Sequence, residues 1–181
     1  MIRLARLVLS LALLAWGRSA AATTDTPIDT TALEFRGFRA GARLDELDRV
    51  VQNAGGGRLR CKHAKADRHV TECRAAFTDP ELGGTLTLWV SAMDSVAGVI
   101  TLSRDVTAAQ LERWRASIEL RYGKVDAQVQ GTQRMMQWVR HSRMLRLTWR
   151  IENRQQIASV SLVDGPVLDA WGQSRPKPRG S

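Results

Sequence analysis

Cys61, His63, His69 and Cys73 fall within thirteen residues, in RLRCKHAKADRHVTECRAAF, and form the chain's densest group of side chains with redox or metal-binding chemistry. Two chemistries suit them. The segment reads as a hairpin around a polar centre, residues 64–68. If Cys61 faces Cys73, then His63 faces Thr71, Lys65 faces His69, and the turn centres on Asp67. Cross-strand Cβ atoms at such pairs lie ~4.5–5.5 Å apart, which suits a disulfide after small adjustment. Closing a loop of this size should stabilise the fold by roughly 3 kcal/mol. The alternative is a metal site made from the same two cysteines and two histidines. Its spacing, C-x-H-x5-H-x3-C, matches none of the usual zinc patterns, and the register puts both histidines beyond the cysteines toward the wet turn. The expectation is therefore a Cys61–Cys73 disulfide, with no metal and no cofactor.

Catalysis would need convergent titratable groups. The three histidines are His63 and His69 near the hairpin tip and His141 at a strand turn. Asp45, Glu46 and Asp48 are close in sequence, but on a helix whose Leu44–Leu47–Val51 face is inward they read as a solvated face. Ser91, Ser95 and Ser103 lack a G-x-S-x-G setting, and no glycine-rich phosphate loop appears. The run Gly55-Gly56-Gly57 ends a helix or allows close approach of a ligand. No catalytic residue is singled out. A small extracytoplasmic hydrolase with an unrecognised site is the alternative to a binding protein.

These residues must be positioned by an antiparallel sheet with helices. Thr107 and Gln110 form a capping box, Val106 and Leu111 a hydrophobic staple, and Leu111, Trp114, Ile118 and Tyr122 one apolar face. Gly123 then stops a helix expected over 108–122. A weaker helix is expected over 42–53. After each helix the hydrophobic period changes to two. Turns at His141-Ser142 and Asn153-Arg154 pair Trp138 with Leu145, Met136 with Leu147, Trp149 with Ala158, Leu147 with Val160 and Leu145 with Leu162, so Leu145, Leu147, Trp149 and Ile151 share an inward face. A one-residue slip would lose these matches. Around residues 94–96, Val90 meets Ile100 and Leu88 meets Leu102, while Trp89 meets Thr101 on the outer face and Thr87 meets Ser103. The fold class is α+β: an antiparallel sheet with two helices packed on one face, read as a diverged tandem repeat with units at 35–103 and 104–164.

The ends carry a different signal. Arg3 and Arg6, the ten apolar residues 7–16 (LVLSLALLAW) and Ser19-Ala20-Ala21-Ala22 have the three parts of a secretory signal peptide, expected over 1–22. Ten residues span roughly 15 Å as a helix, half a bilayer's hydrocarbon thickness, so no stable membrane span is expected after processing. A linker is expected over 23–34, a single domain over 35–171 and a disordered basic tail over 172–181. Of the +9 net charge, Arg3, Arg6 and Arg18 belong to the signal and Arg175, Lys177 and Arg179 to the tail, which leaves the middle near +3. The expected location is periplasmic or secreted. Nucleic-acid binding is not expected, since no clustered basic stripe with stacking aromatics is present.

FRGFRAGARLDELDRVV resembles the G-x-x-x-G-then-helix opening of outer-membrane assembly lipoproteins of the SmpA/BamE kind. LERWRASIELRYGK with the later Trp138 resembles the helix, Y/L-G and aromatic of the same unit. A doubled unit is similar to the β-lactamase-inhibitor-protein fold. The chain departs from the pattern in having no lipid-bearing cysteine and in placing Ala42-Arg43 where a polar helix cap stands. The resemblance covers roughly 35–164 and implies a binding or assembly role without catalysis; it transfers no functional residue.

The surface to test is the outer sheet face. Arg146 and Arg150 alternate with the core residues of their strand, so they point outward, and Trp89 stands among threonines on the outer side of its hairpin. Arg, Trp and small hydroxyls are an interface composition, as well as one a wet sheet face tolerates. Trp89, Arg146 and Arg150 are therefore the candidate partner-binding residues, on one face only if the sheet runs unbroken between the two units. The expected partner is an envelope protein or an anionic envelope polymer.

Overall fold

A computed structural model describes residues 32–79 and 84–174; the proposed signal peptide lies outside the described residues, as does the tail from residue 175 on. The described chain opens on a small hairpin, β1 (Glu34–Phe35) and β2 (Phe38–Arg39), which buries Phe35 and Phe38. Leu33 is already fully buried, so the core takes in residues just before this hairpin.

Helix α1 (Leu44–Asn53) starts at Arg43 with no side-chain cap and turns Leu47 and Val51 inward. Strands β3 (Arg60–His63), β4 (Val70–Thr78), β5 (Thr85–Met93) and β6 (Val96–Asp105) follow. Helix α2 (Ala108–Tyr122) has its capping box closed: Thr107 Oγ1 accepts from the Gln110 N–H at 3.2 Å, and Gln110 Oε1 accepts from the Thr107 N–H at 2.8 Å. Its Leu111, Trp114, Ile118 and Tyr122 are the buried stripe that the 3.6-residue period requires. Strands β7 (Gln128–Gln130), β8 (Gln133–Arg140), β9 (Arg143–Glu152) and β10 (Gln155–Asp164) complete a second helix-then-four-strands run.

Among the described residues, β3 to β10 form one antiparallel sheet in the order β3-β4-β5-β6-β10-β9-β8-β7. The last strands of the two runs, β6 and β10, therefore meet at its centre, and the sheet is continuous across them. Every strand pair expected from the hydrophobic alternation is present in the stated register, from Trp138–Leu145 to Leu88–Leu102. The turns at Asp94-Ser95, His141-Ser142 and Asn153-Arg154 hold both residues at positive φ, the twist that matches two-residue hairpins. At the first of these, Val96 already belongs to β6. The register is made up by an irregularity at Ser91/Ala92, where Gly98 is the extra residue.

The core lies between the helices α1 and α2 and the inner sheet face. Two differences from the sequence reading matter for the surface. Ile151 shares the inner parity of Leu145, Leu147 and Trp149 but is 74 % exposed, because strand parity assigns a face and not a cover. A third helix, α3 (Gly165–Ser174), follows β10 and runs three residues into the stretch read as tail. Its Val167, Leu168 and Trp171 meet Val70, Ser91 and Met93, whose parity faces away from α1 and α2. A Cβ on Gly98 would come within 3.1 Å of Val167 Cγ1 and 3.2 Å of Leu168 Cδ2, so a larger residue at the bulge would make these α3 side chains give by a few tenths of an ångström. Asp164 fixes the start of α3: its carboxylate, in a side chain 2 % exposed, accepts from Arg143 Nε at 2.7 Å and from the Val167 N–H at 3.0 Å. Trp171 Nε1 donates to Asp67 Oδ2 at 2.9 Å and ties the helix to the cysteine hairpin.

Candidate functional site: the outer sheet face

In an antiparallel sheet, residues directly opposite one another share a face, so the pairings define rows that cross it. One row reads Arg60, Arg74, Trp89, Thr101, Ser161, Arg146 and Gln137 over seven strands. At its middle, where the two runs join, Thr101 Oγ1 and Ser161 Oγ are hydrogen-bonded at 3.1 Å. A parallel row carries the Thr148–Ser159 hydroxyl pair, 2.7 Å apart. The centre of the face is thus a carpet of small hydroxyls that satisfy one another.

Trp89 and Arg146 stand in the same row, three strand spacings or about 14 Å apart. Trp89 is 36 % exposed, with Arg74 and Thr101 as its cross-strand neighbours. Arg146 is held in place by neutral groups: Nε and Nη2 donate to Gln137 Oε1 at 3.2 and 2.9 Å, and Nη2 approaches Met144 Sδ at 3.5 Å. Among the described residues no carboxylate pairs with it, so its charge is positioned without being neutralised there. Arg150 is different. It lies four residues along β9, outside this row, and pairs with Glu152 at 2.9 Å. The structure therefore places Trp89 and Arg146 in one row and leaves Arg150 outside it with its own counter-ion.

Two residues of the row, Arg60 and Arg74, did not come out of the sequence reading. Both are exposed, and among the described residues neither has a carboxylate within ion-pair distance. Carrying the Cys61–Cys73 register one strand further, to Cys73–Val90, would have placed Arg74 beside Trp89.

The cysteines are joined as expected, Cys61 opposite Cys73, with His63 opposite Thr71. The bond consumes both sulfurs, and among the described residues no group of three or more His, Cys, Asp or Glu could hold a metal ion. Cys61 lies on the inner parity, in line with Cys73, Val90 and Ile100, so its neighbours Arg60 and Lys62 face outward. Gly56 packs tightly on the core, since a Cβ there would lie 2.6 Å from Val51 Cγ1 and 2.9 Å from the Ala76 carbonyl.

The helix carboxylates are each engaged locally: Asp45 by Arg43 and Arg49, Glu46 by Arg39, and Asp48 by the Leu59 N–H at 2.7 Å and by Arg58. The open cleft at the uncovered inner corner, about 420 Å³, is lined by Thr132, Arg134, Trp149, Arg150, Ile151 and Gln156, which supply guanidinium groups but no carboxylate or imidazole. Tyr122 sits elsewhere, at the end of α2. Its hydroxyl donates to the Glu34 carbonyl and accepts the Glu34 N–H, each at 2.7 Å, and Arg121 and Arg140 flank its ring. Burial raises its pKa above the ordinary phenol value, against the lowering effect of the Glu34 backbone contact and of Arg121. No helix among the described residues is long and apolar enough to cross a membrane. No protein-family model matches the chain, and no curated protein or solved structure matches it at a significant level.

Proposed function

We propose that this is a non-enzymatic, exported binding or envelope-accessory protein that contacts a macromolecular partner through its outer sheet face. The observation that carries the reading is the single row holding Trp89 and Arg146 on the face that α1 and α2 leave open. A partly exposed indole and a pre-oriented, uncompensated guanidinium are anchors that interfaces favour, because both add contact with few rotors to freeze. The hydroxyl carpet between them is flat and internally satisfied, so covering it strands no polar group.

The repeat of helix and four strands supports a doubled unit of the SmpA/BamE kind, and that resemblance points to binding or assembly. The disulfide fits an oxidising compartment outside the cytoplasm, in keeping with the signal-like segment over 1–22. Capture from a native envelope extract tests the reading. Wild-type protein should retain a partner that Trp89→Ala retains at least about tenfold less well, since an anchor is worth roughly 2 kcal/mol or more. Deleting residues 175–181 should leave that capture intact. Equal capture by a folded Trp89→Ala variant would remove the face from consideration.

A further inference from the structure

The cysteine hairpin ends the sheet in an unusual way. β3 is its outermost strand, and all four of its residues are exposed, so among the described residues one side of its backbone has no neighbouring strand. Open edges pair with other strands unless something prevents it. Here the edge is cationic: from Arg60 to Arg74 the chain holds five Lys and Arg against two acids, Asp67 and Glu72, the latter directly opposite Lys62. Asp67 is taken up by Trp171 and by the His69 N–H. Arg60 and Arg74 stand directly opposite each other on the outer face, where like charges cost the sheet stability. Arg60, Lys62 and Arg74 also line an open crevice of about 320 Å³, with Glu72 as its one acid. The other edge of the same sheet, β7, has the sequence QVQ and carries no charge.

We infer that β3 takes up an acidic strand of a protein partner, added antiparallel or parallel to the open edge, with acids at alternate positions meeting Arg60 and Lys62 on the outer face. This rests on the reading of the outer face as the binding surface and names the chemistry of what binds at one end of it. The disulfide makes the geometry specific. It locks β3 to β4 with Cys61 on the inner side, so Arg60 and Lys62 must both point outward, two residues apart. A carboxylate opposite Arg60 would also reach toward Arg74 in the same row and relieve the repulsion between the two guanidiniums. Only a polypeptide can use the main-chain edge as well as the charges. A glycan or a lipid surface would use the charges alone.

The test uses the full, disulfide-bonded protein and a fluorescein-labelled seven-residue peptide alternating glutamate with valine or threonine, titrated by fluorescence anisotropy. Saturable binding is expected. It should weaken about tenfold or more in the Arg60→Glu/Lys62→Glu variant, which turns two attractions into repulsions. It should change little in an Arg113→Glu/Lys124→Glu variant of equal net charge on other exposed sites. Of two peptides methylated on one or the other alternate set of backbone nitrogens, the one whose blocked N–H groups face β3 should lose binding, a readout that needs no change to the protein. The inference is overturned if the peptide does not bind, if both methylated peptides bind as well as the unmethylated one, or if the control variant loses as much. It is also overturned if heparin or phosphatidylglycerol vesicles bind through Arg60 and Lys62 while the peptide does not. Envelope capture that depends on Trp89 but not on Arg60 and Lys62 would sink this inference and leave the outer-face reading standing; the reverse pattern would do the opposite.

Discussion

Trp89 and Trp114 carry the same side chain in opposite surroundings, and alanine at each position separates a surface anchor from a core residue. Trp114 is fully buried in the stripe of α2, its ring tilted against that of Phe35 with centroids 5.6 Å apart. Its removal loses the whole apolar area and leaves a closed cavity, so Trp114→Ala should cost about 3–5 kcal/mol. Trp89 leaves 36 % of its surface open. A tryptophan buries at most ~250 Å², so about two-thirds of that, at ~25 cal/mol per Å², sets a ceiling near 4 kcal/mol. The real loss should be well below it. The covering groups are Arg74, Thr101 and other outer-face side chains that regain water once the indole is gone, and no enclosed void forms. Trp89→Ala should therefore cost about 1–2 kcal/mol. Urea denaturation followed by far-ultraviolet circular dichroism measures both variants against wild type. A Trp89→Ala loss equal to that of Trp114→Ala would mean that the indole serves the core, and the argument for a binding row would fail.

Three other outcomes follow from the geometry. Protein denatured without reductant should titrate no thiol, and reduction of Cys61–Cys73 should lower stability by about 2–4 kcal/mol in the same urea assay; two free thiols before reduction would contradict the bond. Tyr122 is the chain's single tyrosine, so the rise of phenolate absorbance reports it alone, and its pKa should lie above that of the unfolded chain. Because the unfolded state then gives up this proton first, stability should be level below about pH 10 and fall as pH rises from there through the folded pKa, a fall that Tyr122→Phe should lack. Asp164→Ala should cost about 2–3 kcal/mol, less than a fully enclosed pair because Arg143 remains 38 % exposed; a loss below about 1 kcal/mol would show that α3 is held by other contacts.

What was legible in the sequence was whatever a short period or a tight turn encodes. The β8–β9–β10 meander could be registered because alternation reverses every side chain on a one-residue slip, and two-residue turns leave one solution. The capping box and stripe of α2 gave its ends to within a residue. The β6–β10 pairing had no such local mark, since Thr101 and Ser161 are sixty residues apart and nothing between them encodes the contact. Yet that pairing is what puts Trp89 and Arg146 on one face. β1, β2 and β7 are too short, at two or three residues, to show a period. In α3 the apolar residues Val167, Leu168 and Trp171 are too few to stand out beside the Gly-, Pro- and Arg-rich end. Parity gives Ile151 its face but not its environment, because the extent of the helix layer over a sheet is a tertiary property.

The joining of the two runs also sets how much surface the protein can offer. A stable protein interface needs about 800 Å² from each partner. The row from Arg60 to Gln137 crosses seven strands, about 29 Å at the usual strand spacing. Four such rows along the strands extend it by about 20 Å, which gives roughly 600 Å² of projected face before side-chain relief is added. Either run alone would present about half of that, too little for a lasting contact. The central β6–β10 seam therefore turns two undersized sheets into one face of useful size. α3 then decides which part of that face stays open. By lying over Val70, Ser91 and Met93 it partly covers one end and leaves the row of Arg74, Trp89 and Arg146 uncovered. A partner approaching this side would meet α3 as a rim, the basic β3 edge as one border and the indole near the middle. Specificity would then come from the borders, and most of the binding free energy from the indole.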